Sequence, residues 1–165
     1  MPDGTTQQAT PSSATPQPAA PQSEASLHDR LRAAQEAGRA HDFDTAIAAA
    51  DEILQQLIAE QGDTAIGTLE AAQFRADLAY LSGEYAFATE SWTWLALAWF
   101  DRVGPGKRRT QIAAQNAAQS WMHLPPHEAR PRADDLVNML LEVTAPERTA
   151  TIRAQIAERL AQPVR

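Results

Sequence analysis

The chain has no cysteine and no apolar segment long enough to cross a membrane. Without cysteine it forms neither disulfides nor thiolate metal sites, and it has no cysteine nucleophile. The longest apolar run, residues 94–100, is far shorter than the roughly 20 residues that a transmembrane helix needs. We therefore expect a cytoplasmic protein that does not span a membrane.

Basic residues are scarcer than acidic ones, with 14 lysines and arginines against 21 aspartates and glutamates and a net charge of −7. Because nucleic acid attracts a basic surface, this balance argues against a nucleic-acid partner. No glycine-rich phosphate loop, Gly-x-Ser-x-Gly turn or His-Glu-x-x-His motif occurs. The adjacent acids Asp51–Glu52 and Asp134–Asp135 cannot share one helix face as a catalytic pair. The sequence thus predicts a protein that is not an enzyme and needs no cofactor.

The first 25 residues are rich in proline, serine, threonine, glutamine and alanine. Such a composition buries too little apolar surface to offset the loss of chain entropy on folding. It also lacks the basic and apolar regions of a secretory signal. We expect residues 1–25 to be a disordered tail and residues 26–162 to form one helical domain.

One pattern of residues occurs twice between Phe43 and Trp121, with a spacing of 42 positions. Phe43 and Ala46 recur as Tyr85 and Ala88, and the segment TLEAAQFRA at 68–76 recurs as TQIAAQNAA at 110–118. A period between about 20 and 50 residues is typical of arrays in which helix pairs stack on their neighbours. The repeat therefore predicts an all-α array.

Apolar stripes with helical spacing alternate with glycine, proline and capping residues along the chain, which predicts about seven helices. The fourth of them contains the apolar segment SWTWLALAWF and should be the most buried, its tryptophans included. The predicted helix starts lie at or next to Ser26, Asp44, Thr68, Glu84, Lys107, Arg132 and Thr144.

The segments Asp42-Phe43-x-x-Ala46 and Gly83-Glu84-Tyr85-x-x-Ala88 resemble tetratricopeptide repeats. The 42-residue period and the segment DRVGPGKRRTQIAAQNAAQSW resemble the longer repeats of kinesin light chain type. Such repeats also occur in actinobacterial regulatory proteins and behind serine/threonine kinase domains. The segment departs from that family's pattern at Lys107 and Arg108, which replace acidic and histidine positions, and one residue is missing before Gly104.

This resemblance implies a short right-handed superhelical array of antiparallel helix pairs. The repeats would cover residues 27–66, 67–107 and 108–143, with a capping helix at 145–161. The third repeat is the weakest, because His127 and Arg130 replace the aromatic and small residues expected there.

The family resemblance also implies binding of a protein or peptide partner in a groove lined by the first helix of each pair. Small residues at Ala34, Ala76 and Ala118 mark close helix approach and so indicate which neighbours face that groove. Amide side chains there can both donate to and accept from an extended peptide backbone. The predicted groove residues are Gln73, Asp77, Tyr80, Gln115, Asn116 and Gln119.

Two other clusters are candidates for binding. Lys107, Arg108 and Arg109 form a basic lip for an acidic or phosphorylated partner, or else a solvated loop. His123 and His127 have metal-like spacing, but the two prolines between them prevent presentation on one helix turn and no third ligand is evident, so we expect no metal site.

Two further functions remain open at this point. The tryptophan-rich fourth helix could form the interface of a homodimer, which would make the chain a structural or oligomerisation unit. Alternatively, a small ligand could bind between the helices of a regulator.

Overall fold

The computed structural model describes residues 20–161, with side chains from Ser26 onward. Within that range every regular element is an α-helix, which confirms the all-α prediction. The seven helices are α1 (Ala20–Arg39), α2 (Phe43–Gln61), α3 (Ile66–Ser82), α4 (Tyr85–Val103), α5 (Arg108–Met122), α6 (Pro126–Val143) and α7 (Pro146–Ala161). None of them is both long enough and apolar enough to cross a membrane.

The first helix begins earlier than the sequence predicts. α1 starts at Ala20 rather than Ser26, so residues 20–25 of the expected tail are helical. Pro21 falls in the first turn, where a missing amide hydrogen breaks no helical hydrogen bond. The rest of the predicted disordered tail, residues 1–19, lies outside the described residues.

The α2–α3 and α4–α5 connections are built alike. Gly62 and Gly104 end the preceding helices with φ of 88° and 89°, a left-handed backbone that favours glycine. The Thr68 hydroxyl donates to the Gly62 carbonyl at 2.8 Å, and the Thr110 hydroxyl donates to the Gly104 carbonyl at 3.2 Å. Both threonines are fully buried. The sequence period is therefore also a structural period.

Several predicted helix starts are wrong. Asp42, not Asp44, caps α2, and its side chain accepts from the Thr45 amide at 3.3 Å. Thr68 lies inside α3, which begins after Ala65, because its hydroxyl bonds back to the preceding loop.

α6 also begins elsewhere, whereas α7 begins at Pro146, one residue from the predicted 145, but without the predicted Thr144 cap. α6 starts at Pro126 rather than Arg132, since proline is well tolerated at a first helical position. The Thr144 hydroxyl bonds the Leu140 carbonyl and the Thr149 hydroxyl instead of capping α7.

Consecutive helices pack against each other along the chain, and α4 also packs against α6. The main core therefore centres on α4, where Trp92 and Trp99 are 2% and 0% exposed. Of the small residues expected at close helix approaches, Ala34 and Ala76 are buried, whereas Ala118 is only partly buried. The expectation that all tryptophans are core is wrong for Trp94, which is 40% exposed.

A buried arginine ties the first two helix pairs together. Arg75 of α3 donates to Asp51 of α2 at 2.7 Å and lies 3.4 Å from the carboxylate of Glu84, which precedes α4. Its guanidinium also lies 4.1 Å from the centroid of the Phe87 ring. These contacts compensate the charge, which would otherwise be unfavourable in a buried position.

Candidate functional site

Four of the six predicted groove residues meet in one cavity between α3 and α5. We call it the Asp77 pocket, and its volume is about 220 Å³. It is lined by Asp77, Tyr80, Trp92, Asn116, Gln119 and Ser120. Five of its six lining residues are aspartate, tyrosine, asparagine, glutamine and serine, and the sixth, Trp92, belongs to the core.

Asp77 is the charged residue of this pocket. Partial burial raises the pKa of its carboxyl to about 6, although the residue as a whole is exposed to solvent. Desolvation disfavours the ionised form, and neither an opposite charge nor a hydrogen bond counteracts it. A carboxylate in this state is stabilised by any ligand that brings a cation or hydrogen-bond donors to it.

Ser120 lies in the same pocket and is fully buried. Its hydroxyl has no hydrogen-bond partner within the described part of the chain. A buried hydroxyl in a helix often bonds the carbonyl four residues back, as Thr89 does with Tyr85 at 2.7 Å. A buried polar group without a partner is rare and favours a ligand that supplies one.

Ser120 was not predicted as a site residue, although the repeat contains a signal for it. The position 42 residues earlier is Leu78, which is buried in the core. A serine at the position of a core leucine marks the place where the second repeat becomes polar. Recognising it as a site residue requires knowing that α3 and α5 approach each other there.

A small network fixes one wall of the pocket. The Tyr80 hydroxyl lies 3.0 Å from His123 Nε2, and the Gln119 amide nitrogen donates to the same hydroxyl at 3.3 Å. The Tyr85 ring stacks on His123 at 4.7 Å. His123 therefore positions Tyr80, a role that its sequence spacing did not indicate. His127 lies on the surface, 3.6 Å from the Glu128 carboxylate.

Two neighbouring clefts extend the pocket. A cleft of about 300 Å³ at one end is lined by Glu70, Gln73, Phe74, Asp77 and Arg109. A cleft of about 550 Å³ at the other end lies between α5 and α7 and includes Gln115 and Gln119. Since Asp77 and Gln119 each line two of the three cavities, the cavities form one groove across α3, α5 and α7, which we call the inner groove.

Gln73 is only partly available to a ligand, because its side-chain oxygen accepts from the Trp99 indole nitrogen at 3.0 Å. All six predicted groove residues thus line the inner groove, and the remaining question is what they bind.

The predicted basic lip divides into two parts. Arg109 donates to Glu70 at 2.7 Å, and its guanidinium lies 4.5 Å from the Trp99 ring, so it stabilises the α3–α5 contact. Lys107 and Arg108 are exposed where α5 begins and form no ion pair within the described residues. The cluster is therefore not a single binding surface.

A second, apolar surface lies on the other side of α4. Trp94 is about 200° around the helix from Trp92 and borders a cleft of about 340 Å³ between α4 and α6. Leu97 and Met139 also line this cleft. At its edge Arg132 donates to Glu90 at 2.7 Å. We call this surface the Trp94 cleft.

Comparison of the chain with protein-family models, curated proteins and solved structures found no match. The tetratricopeptide resemblance therefore remains a prediction that rests on the repeated residues. The function has to be inferred from the chemistry of the two surfaces. Within the described residues no group of three or more histidine, aspartate or glutamate side chains is placed to hold a metal ion.

Proposed function

We propose that this chain is a non-catalytic adaptor that binds an extended segment of a partner protein in the inner groove. The observation that carries the proposal is the convergence of Asp77, Tyr80, Asn116 and Gln119 on one pocket. These residues come from equivalent helices of two successive repeats. A recognition groove in a helical array is built in this way, from the same face of each repeat.

The dimensions of the inner groove support an extended ligand. Directly packed helices lie about 8–10 Å apart, and the groove crosses α3, α5 and α7, which pack on the intervening α4 and α6, so it is at least roughly 16–20 Å long. An extended chain advances about 3.3 Å per residue, and the groove would thus hold about five or six residues. Amide side chains along it suit the alternating donors and acceptors of a peptide backbone.

The side-chain arrangement also supports binding rather than catalysis. A serine nucleophile is normally activated by a base that accepts its hydrogen bond. The Ser120 hydroxyl has no such partner within the described residues. The pocket hydroxyl that does face a base, that of Tyr80 beside His123, also accepts from Gln119 and belongs to the wall of the pocket.

Selection from a displayed library of random nonapeptides tests this proposal. Selected peptides should bind the purified chain, and the double substitution Asn116→Ala with Gln119→Ala should weaken binding at least about tenfold, because several hydrogen bonds to the backbone are lost. Gln55→Ala is the matched control, since Gln55 is exposed on α2 outside the groove. Failure to select any peptide, or equal binding by the groove variant and the control, would contradict the proposal.

A homodimer through the Trp94 cleft is the second candidate function. The exposed Trp94 favours it, because tryptophan is enriched at interface hot spots. A stable interface buries roughly 1,000 Å² or more, which would require apolar surface well beyond this cleft. Light scattering decides between the candidates: a dimer that Trp94→Ser converts to a folded monomer would support oligomerisation, whereas a monomeric wild type would exclude it.

A further inference from the structure

We infer that the Asp77 pocket recognises a basic side chain of the bound segment, an arginine or a lysine whose cationic group pairs with Asp77. The inference rests on the proposed function, since it names the anchor residue of the peptide in the inner groove. It specifies the charge of the partner's anchor residue, which the groove alone does not.

The charges around the pocket support a cationic ligand. Among its six lining residues Asp77 alone carries a charge, and the others are aromatic, amide or hydroxyl side chains. Of the cations in the two adjoining clefts, Arg109 is already paired with Glu70 at 2.7 Å, and Arg148 lies in the cleft between α5 and α7, which does not include Asp77. His123 faces Tyr80 at the wall. No cation within the described residues therefore compensates Asp77, so a ligand can supply one.

Most of the polar side chains in the pocket accept hydrogen bonds or are able to accept them. Because the Gln119 side-chain nitrogen donates to Tyr80, the Gln119 amide oxygen remains free to accept, and Asn116 contributes a second amide to the lining. An ammonium group offers three donors, and a guanidinium offers five in a planar fork. Such a group can pair with the Asp77 carboxylate and donate to an amide oxygen beside it, which an acidic or apolar side chain cannot do.

The size of the pocket favours one side chain over a free small molecule. Its volume of about 220 Å³ is below the roughly 300 Å³ at which pockets for drug-sized ligands begin. It opens into clefts on both sides through Asp77 and Gln119. This shape suits a side chain that projects from a peptide lying along the groove.

The N-terminal segment does not supply the basic residue. Residues 1–19 contain no lysine or arginine, so they cannot supply this anchor. The net charge of −7 favours encounter with a basic segment through long-range attraction.

Pools of immobilised degenerate nonapeptides test the inference, with the central residue fixed as arginine, lysine, citrulline or glutamate. The wild-type chain should bind the arginine and lysine pools at least about tenfold more tightly than the others, because only these two bring a positive charge to a partly desolvated carboxylate. Citrulline is the decisive comparison, since it keeps the shape of arginine without the charge. Equal binding to all four pools would overturn the inference and leave the proposed function intact, whereas no binding to any pool would contradict the proposed function itself.

Matched substitutions separate the pocket from the overall charge. Asp77→Asn should abolish the preference for the basic pools, while Asp63→Asn should keep it, since Asp63 is exposed in the α2–α3 connection outside the groove. Loss of the preference in both variants would show that net charge, and not the pocket, causes it. Free agmatine should compete only weakly; competition as strong as that of the arginine pool would overturn the assignment to a peptide side chain.

Binding should also depend on pH, because a basic ligand pairs with the ionised carboxylate. With the pKa of free Asp77 at about 6, affinity for the arginine pool should fall by about tenfold between pH 7 and pH 5. His123 at the wall and Glu70 and Arg109 in the adjoining cleft are other groups near the pocket that can carry a charge. Comparison with Asp77→Asn isolates the contribution of Asp77 to this pH dependence. If the variant kept the same pH dependence, the assignment to Asp77 would be contradicted.

Discussion

The two sides of α4 leave different groups without partners. On the α3–α5 side Trp92 is buried beneath a polar pocket that contains Asp77 and the unbonded Ser120 hydroxyl. On the α6 side Trp94 leaves apolar surface open to solvent. Unpartnered buried polar groups are rarer in folded proteins than partly exposed apolar side chains. The inner groove is therefore the more informative of the two surfaces about function.

The largest expected difference between the two sides of α4 is in their contribution to the free energy of unfolding. Trp92→Ala should lower the free energy of unfolding by about 3–5 kcal/mol, because it removes a large core side chain and leaves a cavity. Trp94→Ala, only two residues along the same helix, should lower it by less, about 1–2 kcal/mol, because Trp94 is 40% exposed. Urea denaturation followed by circular dichroism measures both. Similar losses for the two variants would show that the sides of α4 are not as different as the burial indicates.

The next largest effect tests whether the α2–α3 and α4–α5 connections are copies of one repeated hairpin. Thr68→Val and Thr110→Val should each lower the free energy of unfolding by about 1–3 kcal/mol, since each leaves a glycine carbonyl without its buried donor. Thr45→Val is the control, because Thr45 is exposed near the start of α2. The same urea experiment should give equal losses at the two repeat positions. A large difference between the two losses would show that the α2–α3 and α4–α5 connections are not equivalent.

The smallest expected effect concerns the polar pocket alone. The folded-state pKa of Asp77, about 6, lies above its ordinary value of 3.8, so the ionised carboxylate destabilises the fold above pH 6. Asp77→Asn should therefore raise the free energy of unfolding near pH 7.5 by on the order of 1 kcal/mol, a discounted figure because the side chain is partly exposed.

The pH dependence of the Asp77→Asn variant tests whether desolvation of the carboxylate causes this stabilisation. As the pH falls from 7 toward 4, wild-type Asp77 takes up its proton in the folded state first, and the wild type gains stability relative to the variant. The advantage of Asp77→Asn should thus disappear near pH 4. Thermal melts across this range measure it, and an advantage that is constant with pH would exclude desolvation of Asp77 as its origin.

The helix pairs could be predicted because the residues that carry the 42-residue period also determine backbone geometry. Gly62 and Gly104 end helices, and Ala46 and Ala88 allow close packing, so their spacing translates directly into structure. Helix starts were less predictable. Thr68 resembles an N-cap in sequence, but which carbonyl its hydroxyl reaches depends on the fold of the preceding loop.

The candidate site was predictable only in part. The register set by Ala76 and Ala118 placed Asp77, Asn116 and Gln119 on one side, and they line the same pocket. Ser120 and His123 were missed, because their roles arise from contacts between helices that no local pattern encodes. The raised pKa of Asp77 likewise depends on burial by α5, which is absent from the sequence of α3.

Amide chemical-shift mapping tests the central claim most directly. The purified chain, labelled with nitrogen-15, would be titrated with an arginine-centred nonapeptide obtained from the displayed library. The account predicts that the largest shifts lie in α3 and α5 around Asp77 and Ser120 and continue into α7. Shifts concentrated around Trp94 and the facing residues of α6 would contradict it and would assign recognition to the apolar side of α4.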